Sequence, residues 1–163
     1  MKTALPAFSG DVFELTPEVF DAGLDAAHAS PRRRIIFPIH RRPESLVQRM
    51  LNFMLPGTYV RPHLHPRDEA IETVQVLRGA LGFVMFGDEG AVRSRHRLDT
   101  GGLIDIEPGL WHGLVVLEPD TVILEIKRGP YDAARDKVFA DWAPAEGDAA
   151  AATYLESLAA LFD

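Results

Sequence analysis

The sequence holds six histidines and no cysteine, so the imidazoles are its most capable chemical groups. Without thiols there are no disulfides, thiolate zinc fingers, iron–sulfur clusters or cysteine nucleophiles, and any metal would rest on His, Asp and Glu. His63-Leu64-His65 is the informative pair. On a strand, residues two apart point to one face and stand about 7 Å apart, so both rings can grip one ion from adjacent positions. Tyr59 and Arg61 share this parity, although Pro62 makes the segment irregular. A third nitrogen must come from elsewhere, and His112 is the best candidate. It closes Pro108-Gly109-Leu110-Trp111-His112, just after a turn and just before an apolar strand. Glu72 opens the strand after the pair and offers a carboxylate. Three imidazoles and one carboxylate would leave one or two positions on a metal for water or substrate.

Positioning these groups calls for many short strands, and the sequence supplies their punctuation. Thr16-Pro17-Glu18 reads as a helix start, followed by Val19, Phe20, Gly23, Leu24 and Ala27 at helical spacing and closed by Ser30-Pro31. Strands are predicted over Ile35–Phe37, Met50–Leu55, Val74–Leu77, Leu81–Phe86, Arg93–Leu98, Ile104–Ile106, Leu114–Leu117 and Val122–Ile126. Their turns are Pro56-Gly57, Arg78-Gly79, Gly87-Asp88-Glu89-Gly90, Pro108-Gly109 and Glu118-Pro119-Asp120. Asp148 can cap a helix running to Phe162, with Tyr154, Leu155, Leu158, Leu161 and Phe162 as its apolar stripe. The expected arrangement is mainly β: one domain over residues 1–163, with an N-terminal helical segment at 1–30, a β-barrel at 31–130 and a C-terminal helical tail at 131–163.

Other residues carry a functional and a plain structural reading side by side. Arg61 could hold a carboxylate or phosphate beside the metal, or make a salt bridge at the barrel mouth. His40, on an early strand, could enter the pocket, or sit at the surface or behind the ligands. Tyr131 follows Gly129-Pro130 and lines the pocket or caps the barrel. Glu125 interrupts the apolar run Ile123-Leu124-Glu125-Ile126, and alternation turns it outward by default. His28 and His96 read as solvated. The basic residues Arg32, Arg33, Arg34, Arg41 and Arg42 read as solvated strand edges, or as attraction for an anionic substrate.

Net charge is −7 at pH 7, which lacks the basic footprint of a nucleic-acid or anionic-membrane binder. No apolar stretch approaches a membrane span, and Met1–Gly10 has no signal-peptide pattern, so a cytoplasmic address is expected. There is no P-loop, dinucleotide-binding glycine pattern or nucleophile elbow.

The glycine framework around the histidines resembles the two motifs of the cupin superfamily. Gly57, His63, His65, Glu72 and Gly79 match the first; Gly101 or Gly102, Gly109 and His112 match the second. The finer resemblance is to the WbuC-type cupin fold metalloproteins found among bacterial surface-polysaccharide genes. It is carried by Ser30–Arg34, Val47–Arg49, Pro56–His63, Val76–Gly79, Gly129–Asp132 and Trp142–Gly147, within Ala29–Leu155. This resemblance implies a double-stranded β-helix (jelly-roll) barrel with one divalent ion held by His63, His65, Glu72 and His112. The sequence departs from the pattern in three places. The stretch between His65 and Glu72 is about two residues longer than usual, Glu107 stands where proline is usual, and Val116 replaces a common Asn. Glu72 keeps the usual distance to Gly79; Glu69 is the rival carboxylate, and a three-histidine site is the other alternative. Fe, Mn, Ni, Cu and Zn all suit such ligands.

Two functions follow. One is a metal-dependent enzyme of isomerase, epimerase or oxygenase type, acting on a small sugar-like or anionic metabolite of surface-polysaccharide metabolism. Its metal would be a Lewis acid, and Arg61, His40, Tyr59 and Tyr131 would contact the substrate. The other is a non-catalytic metal-dependent binding module. A homodimer is also expected, supported in the sequence only by the C-terminal stripe.

Overall fold

Gly and Pro divide the middle of the chain into strands too short to bury a face alone, and they assemble into two antiparallel sheets facing each other. The computed structural model describes residues 3–163. One sheet has the order β1-β2-β9-β4-β7, made of β1 (Arg34–Pro38), β2 (Val47–Met54), β9 (Thr121–Arg128), β4 (Glu72–Arg78) and β7 (Leu103–Ile106). The other has the order β10-β3-β8-β5-β6, from β10 (Val138–Phe139), β3 (His63–Leu64), β8 (His112–Val116), β5 (Ala80–Phe86) and β6 (Val92–Asp99). The pairings β2–β9, β4–β9 and β5–β8 join strands distant in sequence, as a jelly roll requires. All eight predicted strands are present; β3 and β10, each two residues long, are additional.

Both faces of the first sheet are buried where the N-terminal helix covers β2 and β9, and this governs where side chains point. Its inner face meets the second sheet around Met54, Val74, Val76, Ile106 and Ile123, packed on Leu81, Phe83 and Val116. Its outer face carries Leu51, Phe53 and Val122 against Leu24 and Ala27 of α1 (Pro17–His28). Helix α1 starts as expected, with Thr16 as N-cap and Pro17 in the first turn, although the Thr16 side chain makes no capping bond. Gly23 is where the helix presses closest: a Cβ there would lie 2.3 Å from the Phe53 ring.

Helix α2 (Ala151–Ala159) begins two residues later than a cap at Asp148 would have it, because Asp148 accepts from the Ala145 N–H instead. Its stripe is spent on its own barrel, where Leu158, Tyr154, Leu155 and Phe162 pack with Val84, Phe86 and Val115. That removes the one sequence feature that had supported a dimer. Among the described residues, no helix is long and apolar enough to cross a membrane.

Candidate metal centre

Strand register brings the histidines together. His63 of β3 lies directly opposite His112 of β8, with ring centroids 4.5 Å apart. Pro62 and the loop after Leu64 keep β3 short, so His65 stands just past its end, 5.3 Å from the His63 ring and 5.6 Å from His112. All three are buried, and one nitrogen from each lies within 4.8 Å of the others.

The hydrogen bonds behind the rings fix which nitrogens face inward. Nδ1 of His63 lies 3.0 Å from the Arg61 carbonyl, Nδ1 of His112 2.8 Å from that of Leu110, and Nδ1 of His65 2.5 Å from that of Asp136. A carbonyl only accepts, so each Nδ1 carries a hydrogen and each Nε2 faces the interior, where a lone pair is offered to an ion once that nitrogen is deprotonated. Oε2 of Glu72 stands 3.2 Å from Nε2 of His65 and 3.3 Å from Nε2 of His112. The second contact is close but not aligned as a hydrogen bond, so His112 Nε2 is buried without a partner. A lone pair facing a carboxylate is a repulsive arrangement that a cation would relieve, and these residues fit a divalent ion bound by three nitrogens and an oxygen.

Electrostatics agree. Burial, with help from the Lys137 charge, pushes His63 well below its ordinary 6.5, so it is a neutral donor. Burial opposes ionisation of Glu72, but the His112 and His65 imidazoles set against it outweigh that cost and hold the carboxyl well below 4.5. In the metal-free site burial likewise opposes a charge on His65, and the Glu72 hydrogen bond outweighs it, so His65 is raised. Glu69, the rival carboxylate, is exposed in the loop before β4.

Beside these ligands the barrel encloses a cavity of about 440 Å³, bordered by the edge strands β1 and β10. Of the other candidates, Arg61, His40 and Tyr131 line it. Nε of Arg61 is buried without a hydrogen-bond partner, and among the described residues no carboxylate pairs with its guanidinium. The Nδ1 of His40 rests against the Arg49 main chain, and Tyr131 is half-exposed at the rim. Tyr59 is not among the lining residues: residues 58–62 are not in a strand, the expected parity is lost, and its hydroxyl donates to the Pro144 carbonyl. His28 and His96 are exposed, as expected.

Two expectations need correction. Glu125 points inward, not outward, because the outer face of β9 packs under α1 through Val122 and Leu124 and leaves Glu125 to the cavity. There it accepts from Asn52 Nδ2 at 3.0 Å and lies 3.8 Å from Lys127 Nζ. The basic residues are not simply solvated edges. Arg32 and Arg34 grip Glu146, Arg33 donates to the Pro56 carbonyl, and Arg41 donates to the carbonyls of Gly10 and Asp11. Sequence reading missed Asn52, Lys127 and Asp136. Lys127 shares strand parity with Glu125, which is the one signal that could have found it.

Solved structures match at the level of fold. An oxalate oxidase in complex with the substrate analogue glycolate aligns with a TM-score of 0.55 and 18% identity, over 82% of this chain and 74% of that one. KdgF from Halomonas sp. aligns at 0.50 and 20% identity, over 62% of this chain and 82% of that one. The DMSP lyase DddQ from Ruegeria pomeroyi DSS-3 aligns at 0.50 and 22%, over 64% of this chain and 50% of that one. The chain spans only about half the length of the DMSP lyase structure it matches. The architecture is the cupin jelly roll, and at such identities the likeness carries fold alone. Among curated proteins none matches the sequence. A family profile described as "Domain of unknown function (DUF6016)" matches residues 15–98, from the approach to α1 through most of β6 and including His63, His65 and Glu72. That match covers more than half of the sequence, and the chain belongs to this family.

Proposed function

We propose that this chain is a metal-dependent cupin that binds a small anionic molecule inside its barrel, with one divalent ion on His63, His65, His112 and Glu72. The observation that carries the reading is the set of Nδ1 bonds to main-chain carbonyls, which turns three Nε2 atoms inward, two of them onto Glu72, and leaves that of His112 without a partner. A bound ion would supply Lewis acidity toward a carbonyl, diol or carboxylate. The chain's own residues bind and orient. Arg61 offers an unpaired guanidinium to an anionic group, Asn52 and Glu125 offer polar contacts from the facing wall, and His40 and Tyr131 border the same space. Polar groups beside the ligands support turnover, of isomerase, epimerase or oxygenase type, over a metal sealed in an apolar plug. The sugar and surface-polysaccharide role rests on the WbuC-type resemblance alone.

The test is elemental analysis of protein purified without an affinity tag. His63→Ala and His112→Ala are each expected to lose the bound metal, while His96→Ala keeps it. Stoichiometric metal in either of the first two would sink the reading. A thermal-shift screen of small carboxylates and phosphates on the loaded protein then finds the ligand class.

A further inference from the structure

His63 and His112 are each oriented from two residues away in their own segments, by the carbonyls of Arg61 and Leu110. His65 differs: its Nδ1 donates to Asp136, 71 positions along the chain. Asp136 lies in the irregular segment between β9 and β10, where no strand ladder fixes the carbonyl. What holds it is its own carboxylate. Lys127 Nζ reaches Asp136 Oδ1 at 2.7 Å, whereas the exposed side of the segment offers only Lys137 at 3.9 Å. Lys127 projects from β9 into the barrel, in register with Gln48 on one side and Glu72 on the other, and is 8% exposed. An ammonium so buried is costly unless paired, and its close partner is this one carboxylate.

We propose that Lys127 is a positioning residue of the metal centre, acting through its ion pair with Asp136 to fix the carbonyl that orients His65. The inference rests on the metal reading above and assigns Lys127 and Asp136 a role outside the ligand set. Residues that orient metal-binding imidazoles typically contribute about 10- to 100-fold to metal affinity.

The experiment compares the full-length protein with Lys127→Met, Asp136→Asn and Lys127→Arg. Two readouts are used: Co(II) affinity by competition titration, and imidazole ¹⁵N shifts of the metal-free protein at a pH above the raised His65 transition, where the neutral ring reports its tautomer. Lys127→Met is expected to weaken Co(II) binding about tenfold or more and to convert His65 from one tautomer to a mixture. Asp136→Asn keeps the carbonyl and the Glu125 contact of Lys127, so the same two changes there trace the effect to the ion pair. Lys127→Arg preserves the pair and should stay within about threefold of wild type. The double variant carrying both Lys127→Met and Asp136→Asn should show no more than either single change. Wild-type Co(II) affinity and unchanged His65 shifts in both Lys127→Met and Asp136→Asn would overturn the proposal while leaving the metal reading intact. Failure of wild type to take up Co(II) would overturn the metal reading, and the ¹⁵N shifts would still decide whether Lys127 orients His65. Should Lys127→Met fail to fold, Asp136→Asn carries both readouts.

Discussion

Arg34 donates from Nη2 to Oε2 of Glu146 at 2.8 Å, tying the first residue of β1 to a segment 112 positions later. Arg32 completes the clasp with Nε on Oε1 at 2.7 Å and Nη2 on Oε2 at 3.0 Å. Tyr59 reinforces it from behind: its carbonyl accepts from Arg34, and its hydroxyl donates to Pro144 at 2.7 Å. Burial pushes that hydroxyl up to about 12, so it stays a donor throughout the ordinary pH range. The chain after β10 is thus held on the barrel rim by charge-assisted bonds, while Trp142 packs on Phe86 and Trp111.

This clasp makes stability depend on acid. Burial works against a charge on Glu146, yet the bonds from Arg32 and Arg34 outweigh it and hold the carboxyl below its ordinary 4.5. A carboxylate depressed in the folded state contributes stability that is present above its unfolded pKa and is lost as pH falls through the folded one. Glu146→Gln is therefore expected to lower Tm at pH 7 by a few degrees, from a loss on the order of 1 kcal/mol for a partly exposed bidentate pair. The gap to wild type should close as pH is taken below about 4.5. Melts from pH 7 to pH 3 check this; a gap independent of pH would mean that the charge contributes nothing.

Gly23 leads to a prediction opposite to helix propensity. In an exposed helix, Gly→Ala gains about 0.5–1 kcal/mol. Here the added methyl would meet three ring atoms of the fully buried Phe53 at 2.3–2.4 Å. Gly23→Ala should cost about 1–3 kcal/mol by overpacking, read as a lower midpoint in urea at unchanged slope. Adding Phe53→Leu should recover part of the loss, because the two changes share one contact.

How much of this was legible beforehand depended on whether a residue's neighbours lay nearby in sequence. His63, His65 and His112 sit at turn–strand junctions marked by Gly and Pro, so type and spacing sufficed to group them. Glu72 followed from its place at the head of β4. Glu125 did not, because alternation assumes one wet face, whereas Val122 and Leu124 pack under α1 as Ile123 packs inside. With apolar residues on both sides, periodicity cannot say which way a carboxylate points. Tyr59 failed for the converse reason: parity was carried through residues 58–62, which are not in a strand. Lys127 and Asp136 meet only because the segment after Gly129 folds back over the cavity, and a one-dimensional pattern does not encode that path.

Asn52 tests the inward placement of Glu125. Its Nδ2 is a neutral donor to a buried carboxylate that burial and the nearby Glu72 charge both push up. Asn52→Leu removes that donor and should destabilise the protein by about 1–3 kcal/mol. With Glu125→Gln in the background the penalty should shrink, since a neutral amide loses less than a carboxylate. Were Glu125 turned to solvent, Asn52→Leu would be close to neutral in either background, and denaturant curves on the four proteins separate the outcomes.

Arg61 separates an anchor for ligand from a strut of the fold. Its guanidinium lies over the Phe139 ring at 6.0 Å, with a buried Nε that no partner satisfies. A group that bound the fold together would have such partners, so Arg61→Ala should change the Tm of the free protein by no more than about two degrees, within the range of ordinary surface substitutions. Binding should respond instead. On metal-loaded protein, the affinity for malonate or inorganic phosphate, read by thermal shift across a titration, should fall about 10- to 100-fold, as expected when a charged hydrogen bond worth about 1.5–3 kcal/mol is lost. Arg61→Lys should recover only part of it, because an ammonium keeps the charge but not the planar fork that meets two oxygens at once. A large drop in Tm without ligand, with anion affinity untouched, would instead make Arg61 a structural cation of the barrel mouth.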